Sequence, residues 1–253
     1  MIRSLLTSQM RISHRFDNYL PEKYRVHGFQ DYRQSLVPKY LKQDLTIYDV
    51  GGGKRPYINA EQKKALNATV VGLDIDRDEL DKAPEGLYDR TICADIAKFQ
   101  GSQDADLLIC KAVLEHVRDV EGAFNSIASI LKPGGLALIF VPSRNAVFAR
   151  LNIILPQKMK QRILYTIFPK TVEVQGFPSY YNKCTPREFK QLAQSNRLAP
   201  IEERYYYISD YFSFFFPAYF VWRVWVWLFQ NLYKEQAAET FCLVLKKNDP
   251  TTI

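Results

Sequence analysis

The chain has 253 residues, 47% of them hydrophobic and 24% charged, with a net charge of +7 at neutral pH. That length holds one α/β domain with insertions, and the composition is that of a globular protein. Lysine and arginine are scattered rather than clustered, which suits an anionic substrate or membrane surface and disfavours a nucleic-acid partner.

The start, MIRSLLTSQMRISHRF, has no apolar core long enough for a signal peptide. Cys93, Cys110, Cys184 and Cys242 have no C-x-x-C spacing, so a zinc site is unsupported and a reduced, cytoplasmic protein is expected. Residues 1–43 carry predicted helices around Ile2–Arg15 and Asp31–Lys42, a helical cap for the main domain. Arg25, His27, Tyr32 and Arg33 could line a ligand mouth there, or simply pack and face solvent.

Leu45–Val50 reads as a strand buried on both faces, closed by Asp49 and the glycines Gly51, Gly52 and Gly53. Gly51 and Gly53 permit a tight turn and close approach of a ligand to the backbone. A helix over Lys54–Leu66 would aim its N-terminal amides at that ligand. The turn is neither G-x-G-x-x-G nor a P-loop, which disfavours NAD and leaves an adenosyl ligand without a pyrophosphate. Strands predicted over Thr69–Leu73 and Arg90–Ala94 also end in acids, Asp74-Ile75 and Asp95-Ile96. Asp74 could accept two ribose hydroxyls, or cap a helix over Arg77–Lys82. Asp95 could accept from an adenine amino group while Ile96 packs on the ring. Further strands at Asp106–Cys110 and Leu136–Val141 flank a helix over Val120–Leu131 that Lys132-Pro133-Gly134-Gly135 stops. Strands and helices alternating at this spacing predict a doubly wound parallel sheet, with ligands at the strands' carboxyl ends.

The segments DVGGG, GLDID, ADI, LLICKAVLEHV and LKPGG, in this order, resemble the class I S-adenosylmethionine-dependent methyltransferases, and among them the ubiquinone-biosynthesis type. The likeness covers residues 45–141 well and the rest loosely. It implies a Rossmann-like, mostly parallel seven-stranded sheet with S-adenosylmethionine as cofactor. Asp49, Gly51, Gly52 and Gly53 would then form the loop at its methionine part, and Asp74 with Ile75 would meet the ribose. Asp95 and Ile96 would lie at the adenine, and Cys110 and Lys111 along the cofactor's edge. The D-x-G-x-G-x-G pattern has Arg55 at its last glycine position, and Lys54 or Arg55 could meet the methionine carboxylate instead.

Residues 142–183 read as a helical lid, followed by a helix at Pro186–Ser195 with Thr185 and Glu188 as a capping box. In the methyltransferase fold, Arg204–Ile208 and Thr240–Leu245 would form an antiparallel hairpin at the sheet's far edge. Between them, from Tyr211 to Phe229, the clearly polar side chains are Ser213 and Arg223. Both ends of this 211–233 insert must return to one sheet edge, so a single membrane crossing is rejected. A helix in the membrane interface, a shallow hairpin bent at Pro217 and a subunit contact remain, with a core helix covered by the lid's ILYTIF as the alternative. For the chemistry, His116 is the candidate general base, or a local packing residue. Tyr180, Tyr181 and His27 are candidate substrate contacts, and no metal is expected. The expected function is methyl transfer to a small or amphiphilic acceptor (a lipid-linked sugar, glycolipid or prenylated ring) at the inner face of a membrane. A soluble O- or N-methyltransferase that dimerises through 211–233, or a cofactor-binding module without catalysis, are the alternatives.

Overall fold

The computed structural model describes residues 2–155 and 177–249. Its centre is a seven-stranded sheet in the order β3-β2-β1-β4-β5-β7-β6. The strands are β1 (Thr46–Val50), β2 (Thr69–Asp74), β3 (Arg90–Cys93), β4 (Ala105–Lys111), β5 (Leu131–Pro142), β6 (Leu198–Tyr206) and β7 (Thr240–Lys247). The first five pair in parallel, and β7 runs antiparallel to both β5 and β6. The chain order reverses between β1 and β4, so a crevice opens beyond their carboxyl ends.

The period-two alternation of strand side chains divides the core into two layers. Tyr48, Val50, Leu108, Cys110 and Ile139 face one layer, packed with Phe124 of α6 (Val120–Ile130) and Phe189 of α8 (Pro186–Ser195). Those two rings meet edge to face at 5.1 Å. Ile47, Leu107, Ile109 and Leu138 face the other layer, against Tyr32, Leu36 and Val37. These belong to a helical run of α2 (Gly28–Asp31), a π turn (Tyr32–Leu36) and α3 (Val37–Tyr40). Tyr32 donates its hydroxyl to the Leu138 carbonyl at 2.8 Å, which satisfies a buried polar group and fixes the cap to the sheet.

Four local expectations change. The helix expected from Lys54 starts at Ala60, as α4 (Ala60–Leu66), because Asn59 and Gln62 close a reciprocal capping box there. Residues 51–59 are therefore a loop, and no helix N-terminus follows the glycine turn directly. The Lys-Pro-Gly-Gly stretch lies within β5, where Gly134 takes φ +78° and the pairing with β4 shifts register between Ala105 and Leu107. β6 begins at Leu198 rather than Arg204, with an irregularity at Pro200 that an edge strand tolerates. At α8, Thr185 accepts the Glu188 N–H, but its own N–H goes to the Lys183 carbonyl, so only half of the capping box forms.

The 211–233 insert is a single helix, numbered α9 (Phe216–Tyr233), with Pro217 in its first turn rather than at a bend. One face packs on α1 (Ile2–Asp17) through Phe16, whose ring lies 5.3 Å from that of Phe220. Both polar residues between Tyr211 and Phe229 are buried: Ser213 in its turn, and Arg223 against Asp17 at 3.1 Å. Arg223 is thus not available to a headgroup. α1 covers this face; ILYTIF, the cover expected from the lid, and the basic residues Lys158, Lys160, Arg162 and Lys170 lie outside the described residues. Outside its buried side chains the helix exposes Val221, Trp225, Trp227, Leu228 and Leu232. Among the described residues, no helix is long and apolar enough to cross a membrane.

Candidate active site

The carboxyl ends of β1, β2 and β4 and the turn after β3 enclose a cavity of about 560 Å³. Gly51, Asp74, Ile75, Asp95, Ile96, His116 and Tyr180 all line it. Gly51 has φ +72°, and a Cβ there would stand 2.3 Å from a methyl of Val113, so glycine is required twice over. A Cβ on Gly52 would lie 2.4 Å from an Asp49 carboxylate oxygen and 2.5 Å from the Tyr88 hydroxyl. Gly53 runs beside Asp74.

Asp49 does not line the cavity. It is buried behind the glycine turn, accepting the Tyr57 N–H at 2.6 Å and the Tyr88 hydroxyl at 3.3 Å. Burial pushes this carboxyl up to about 6 despite those donors. Its structural effect is to clamp the loop that follows β1. Asp74 accepts the Asp76 N–H at 3.0 Å, and burial raises its pKa. The cap of α5 (Arg77–Asp81) is Asp76, which leaves Asp74 at the cavity wall. Asp95 accepts the Ala97 N–H at 2.9 Å, while Ile96 is buried and Ile75 overhangs the opening.

Cys110 and Lys111 end β4 but lie outside the cavity lining. Cys110 is fully buried, which pushes its thiol up. The Lys111 ammonium sits 5.0 Å from the Phe29 ring centre, and burial lowers its pKa. Lys54 is paired with Glu79 at 2.9 Å. His27 precedes α2 and does not line the cavity. Tyr181 is also outside it, buried at φ +54°, with its phenol pushed up by burial.

His116 sits in a 3-10 turn (Leu114–His116) beyond β4. Its Nδ1 lies 3.1 Å from the Pro178 carbonyl oxygen and 3.3 Å from the Ser179 hydroxyl. The Tyr180 and Tyr181 N–H groups both donate to the Glu115 carbonyl, at 2.8 and 3.0 Å. Residues 178–181 are thereby pinned over the turn, with the Arg118 guanidinium 4.7 Å above the Tyr180 ring. Sequence reasoning passed over Val113, Tyr88, Glu115 and Arg118. Glu115 and Val113 lie inside the motif quoted for His116, whereas nothing local marks Tyr88 as a partner of Asp49.

A second, apolar groove of about 1160 Å³ runs between α7 (Val147–Ile154) and α9, at the same sheet edge. Leu151, Ile154, Val221, Trp222 and Trp225 form its walls; among the described residues Arg150 and Arg187 are its basic residues, and no acid lines it.

A family model described as a methyltransferase domain matches residues 17–202. This chain belongs to that methyltransferase family. A ubiquinone biosynthesis O-methyltransferase of Bartonella tribocorum is 29% identical over 192 residues, covering 73% of this chain and 71% of that protein. An S-adenosylmethionine-dependent methyltransferase structure from Mesorhizobium loti aligns with a TM-score of 0.54 at 16% identity, covering 88% of this chain and all of that one. Phosphoethanolamine N-methyltransferase 2 of Haemonchus contortus, solved with S-adenosyl-L-methionine, gives a TM-score of 0.54 at 14% identity over 87% of this chain. This methyltransferase spans 53% of that longer chain, and both structural likenesses are of fold. The seven-stranded order with its antiparallel β7 is the doubly wound methyltransferase sheet that the motifs implied.

Proposed function

We propose that this methyltransferase transfers a methyl group from S-adenosylmethionine to an amphiphilic acceptor, a lipid-linked sugar, glycolipid or prenylated ring, at the inner face of a membrane. The chemistry of the cavity suits that cofactor: a carboxylate at the end of β2, an acid beside an apolar side chain after β3, and a glycine turn after β1. Asp74 would accept the ribose hydroxyls, Asp95 the adenine amino group, and Ile96 would pack on the ring. Gly51 and Gly53 would admit the methionine part, with the exposed Arg55 free to meet its carboxylate, since Lys54 is engaged by Glu79. S-adenosylmethionine, when bound, supplies an electrophilic methyl group on a sulfonium sulfur. The chain itself orients the acceptor and excludes water, and positioning of this kind is worth up to roughly 7–11 kcal/mol. His116 would take the proton of a hydroxyl acceptor at Nε2, the nitrogen left free when Nδ1–H donates to the Pro178 carbonyl. Tyr180 lies at the cavity wall as the substrate contact, ahead of Tyr181 and His27.

The observation that carries the membrane reading is the exposed apolar surface of α9. Trp225 and Trp227 are 52% and 50% exposed, on different sides of a helix that also packs on α1. Exposed tryptophans in an apolar patch mark an interface with a membrane or a partner. The insert leaves the sheet after β6 and returns at β7, so it rises from the carboxyl edge that also bears the cofactor cavity. Arg150 and Arg187 beside the groove would attract anionic headgroups, each worth about 1 kcal/mol when well placed. Flotation with anionic liposomes tests this. The parent protein is expected to float, and the Trp225→Glu, Trp227→Glu double variant to remain at the bottom. A salt-independent dimer that never floats would instead make α9 a subunit contact.

A further inference from the structure

Glu115 occupies the same short turn as His116, and its side chain is buried. Its Oε2 has no hydrogen-bond partner among the described residues, and its Oε1 stands 3.7 Å from His116 Nε2. A carboxyl group in that position is costly to ionise without a nearby cation. Among the described residues, the ionisable groups that face it from other elements are Cys110 of β4, Tyr181 and Cys184 ahead of α8, and Tyr211 ahead of α9. None of these becomes positive, so His116 is the neighbouring group able to do so. Burial accordingly pushes the Glu115 carboxyl up to about 8.

We propose that Glu115 is a positioning residue that shares a proton with His116. The inference rests on His116 acting as the base. With the pair protonated, Glu115 holds the proton and directs it at Nε2, which is then closed to the acceptor. With the pair ionised, Nε2 is free, and the buried carboxylate offsets the imidazolium that methyl transfer creates. In that step the acceptor O–H bond breaks and its electron pair forms the new O–CH3 bond. The S–CH3 pair stays on sulfur, and the proton passes to Nε2. It then leaves to water from the ring, which is 29% exposed, while Glu115 stays beneath it.

The test needs no acceptor. The chain has three histidines, His14, His27 and His116, so a His116→Gln control assigns the His116 ring proton by NMR. In the parent that signal is expected to show a step near pH 8 that reports Glu115, and the step should vanish in Glu115→Gln. Glu115→Asp, which withdraws the carboxyl by one methylene, should keep the step but move its midpoint; this variant also serves if the Gln form does not fold. Absence of the step in the parent, or its persistence at an unchanged midpoint in both variants, overturns the pairing. Once an acceptor is known, the parent rate should rise through the same pH. A Glu115→Gln rate profile identical to the parent's overturns the positioning role even where the NMR coupling stands. A His116→Ala variant with full turnover, by contrast, removes the base reading and leaves the coupling intact.

Discussion

The sharpest test of how α9 is held is Arg223→Met. Arg223 is 3% exposed, and its guanidinium donates to the carbonyls of Tyr207 and Tyr24, both at 2.6 Å. Its Nε faces Asp17 Oδ1 at 3.1 Å, while the other Asp17 oxygen accepts the Tyr219 hydroxyl at 2.5 Å. Methionine keeps most of the packing but leaves a buried carboxylate without its cation and two carbonyls without donors. Breaking one side of a buried pair costs about 3–5 kcal/mol. At roughly 2–4 °C per kcal/mol for a chain of this size, Tm should fall by about 6–20 °C. Urea unfolding followed by tryptophan fluorescence measures the cost directly. Adding Asp17→Leu to the variant should recover part of the loss, because the orphaned charge goes with it. A cost below about 1 kcal/mol for Arg223→Met, or a double variant that loses the sum of the two single costs, would refute the network as the anchor of α9.

Asp74→Ala should weaken S-adenosylmethionine binding by about 1.5–3 kcal/mol, roughly ten- to a hundred-fold, if its carboxylate accepts the ribose hydroxyls; calorimetry with normal affinity would move that contact elsewhere. His116→Ala should lower turnover and leave cofactor affinity nearly unchanged, with the larger loss above about pH 8, where the Glu115 carboxyl has released its proton; full activity there would make His116 structural. Glu239 is buried beside Trp222, and burial raises its carboxyl to about 7 from 4.5. The folded state therefore holds this proton more tightly, and stability falls as pH rises from about 4.5 through 7. Glu239→Gln should remove that slope, gaining on the order of 3 kcal/mol at pH 8 and little at pH 4; equal effects of the substitution at both pH values would contradict the assignment.

The parallel half of the fold was legible because its strands end in the residues that the carboxyl edge needs. Asp49, Asp74 and Asp95 each close an apolar run, and all three strands lie side by side in the sheet. Burial divides their chemistry, and burial is a property of distant partners. Asp49 turns inward because Tyr57 and Tyr88 meet it, whereas Asp74 stays at the cavity because Asp76 takes the helix cap. The start of α4 was misplaced since the glycine turn suggested an immediate helix, while the local capping pair Asn59–Gln62 decides it. β6 was read too short because its edge position, which excuses Pro200, depends on pairing with β7. The insert's apolarity was plain in the sequence, but its cover was not: α1 lies some 200 residues earlier, joined through contacts such as Ser13 to Ser213, at a separation of 200.

The central claim is methyl transfer from S-adenosylmethionine to an amphiphile, and the most direct measurement follows the label. The protein would be incubated with cofactor carrying a radioactive methyl group, together with anionic liposomes charged with a total lipid extract, and separately with the soluble metabolites of the same cells. Label is expected in the organic phase, reduced in Asp74→Ala and in the Trp225→Glu, Trp227→Glu variant. Label that appears only in water-soluble products, at a rate indifferent to liposomes and to the tryptophan substitutions, would contradict the account.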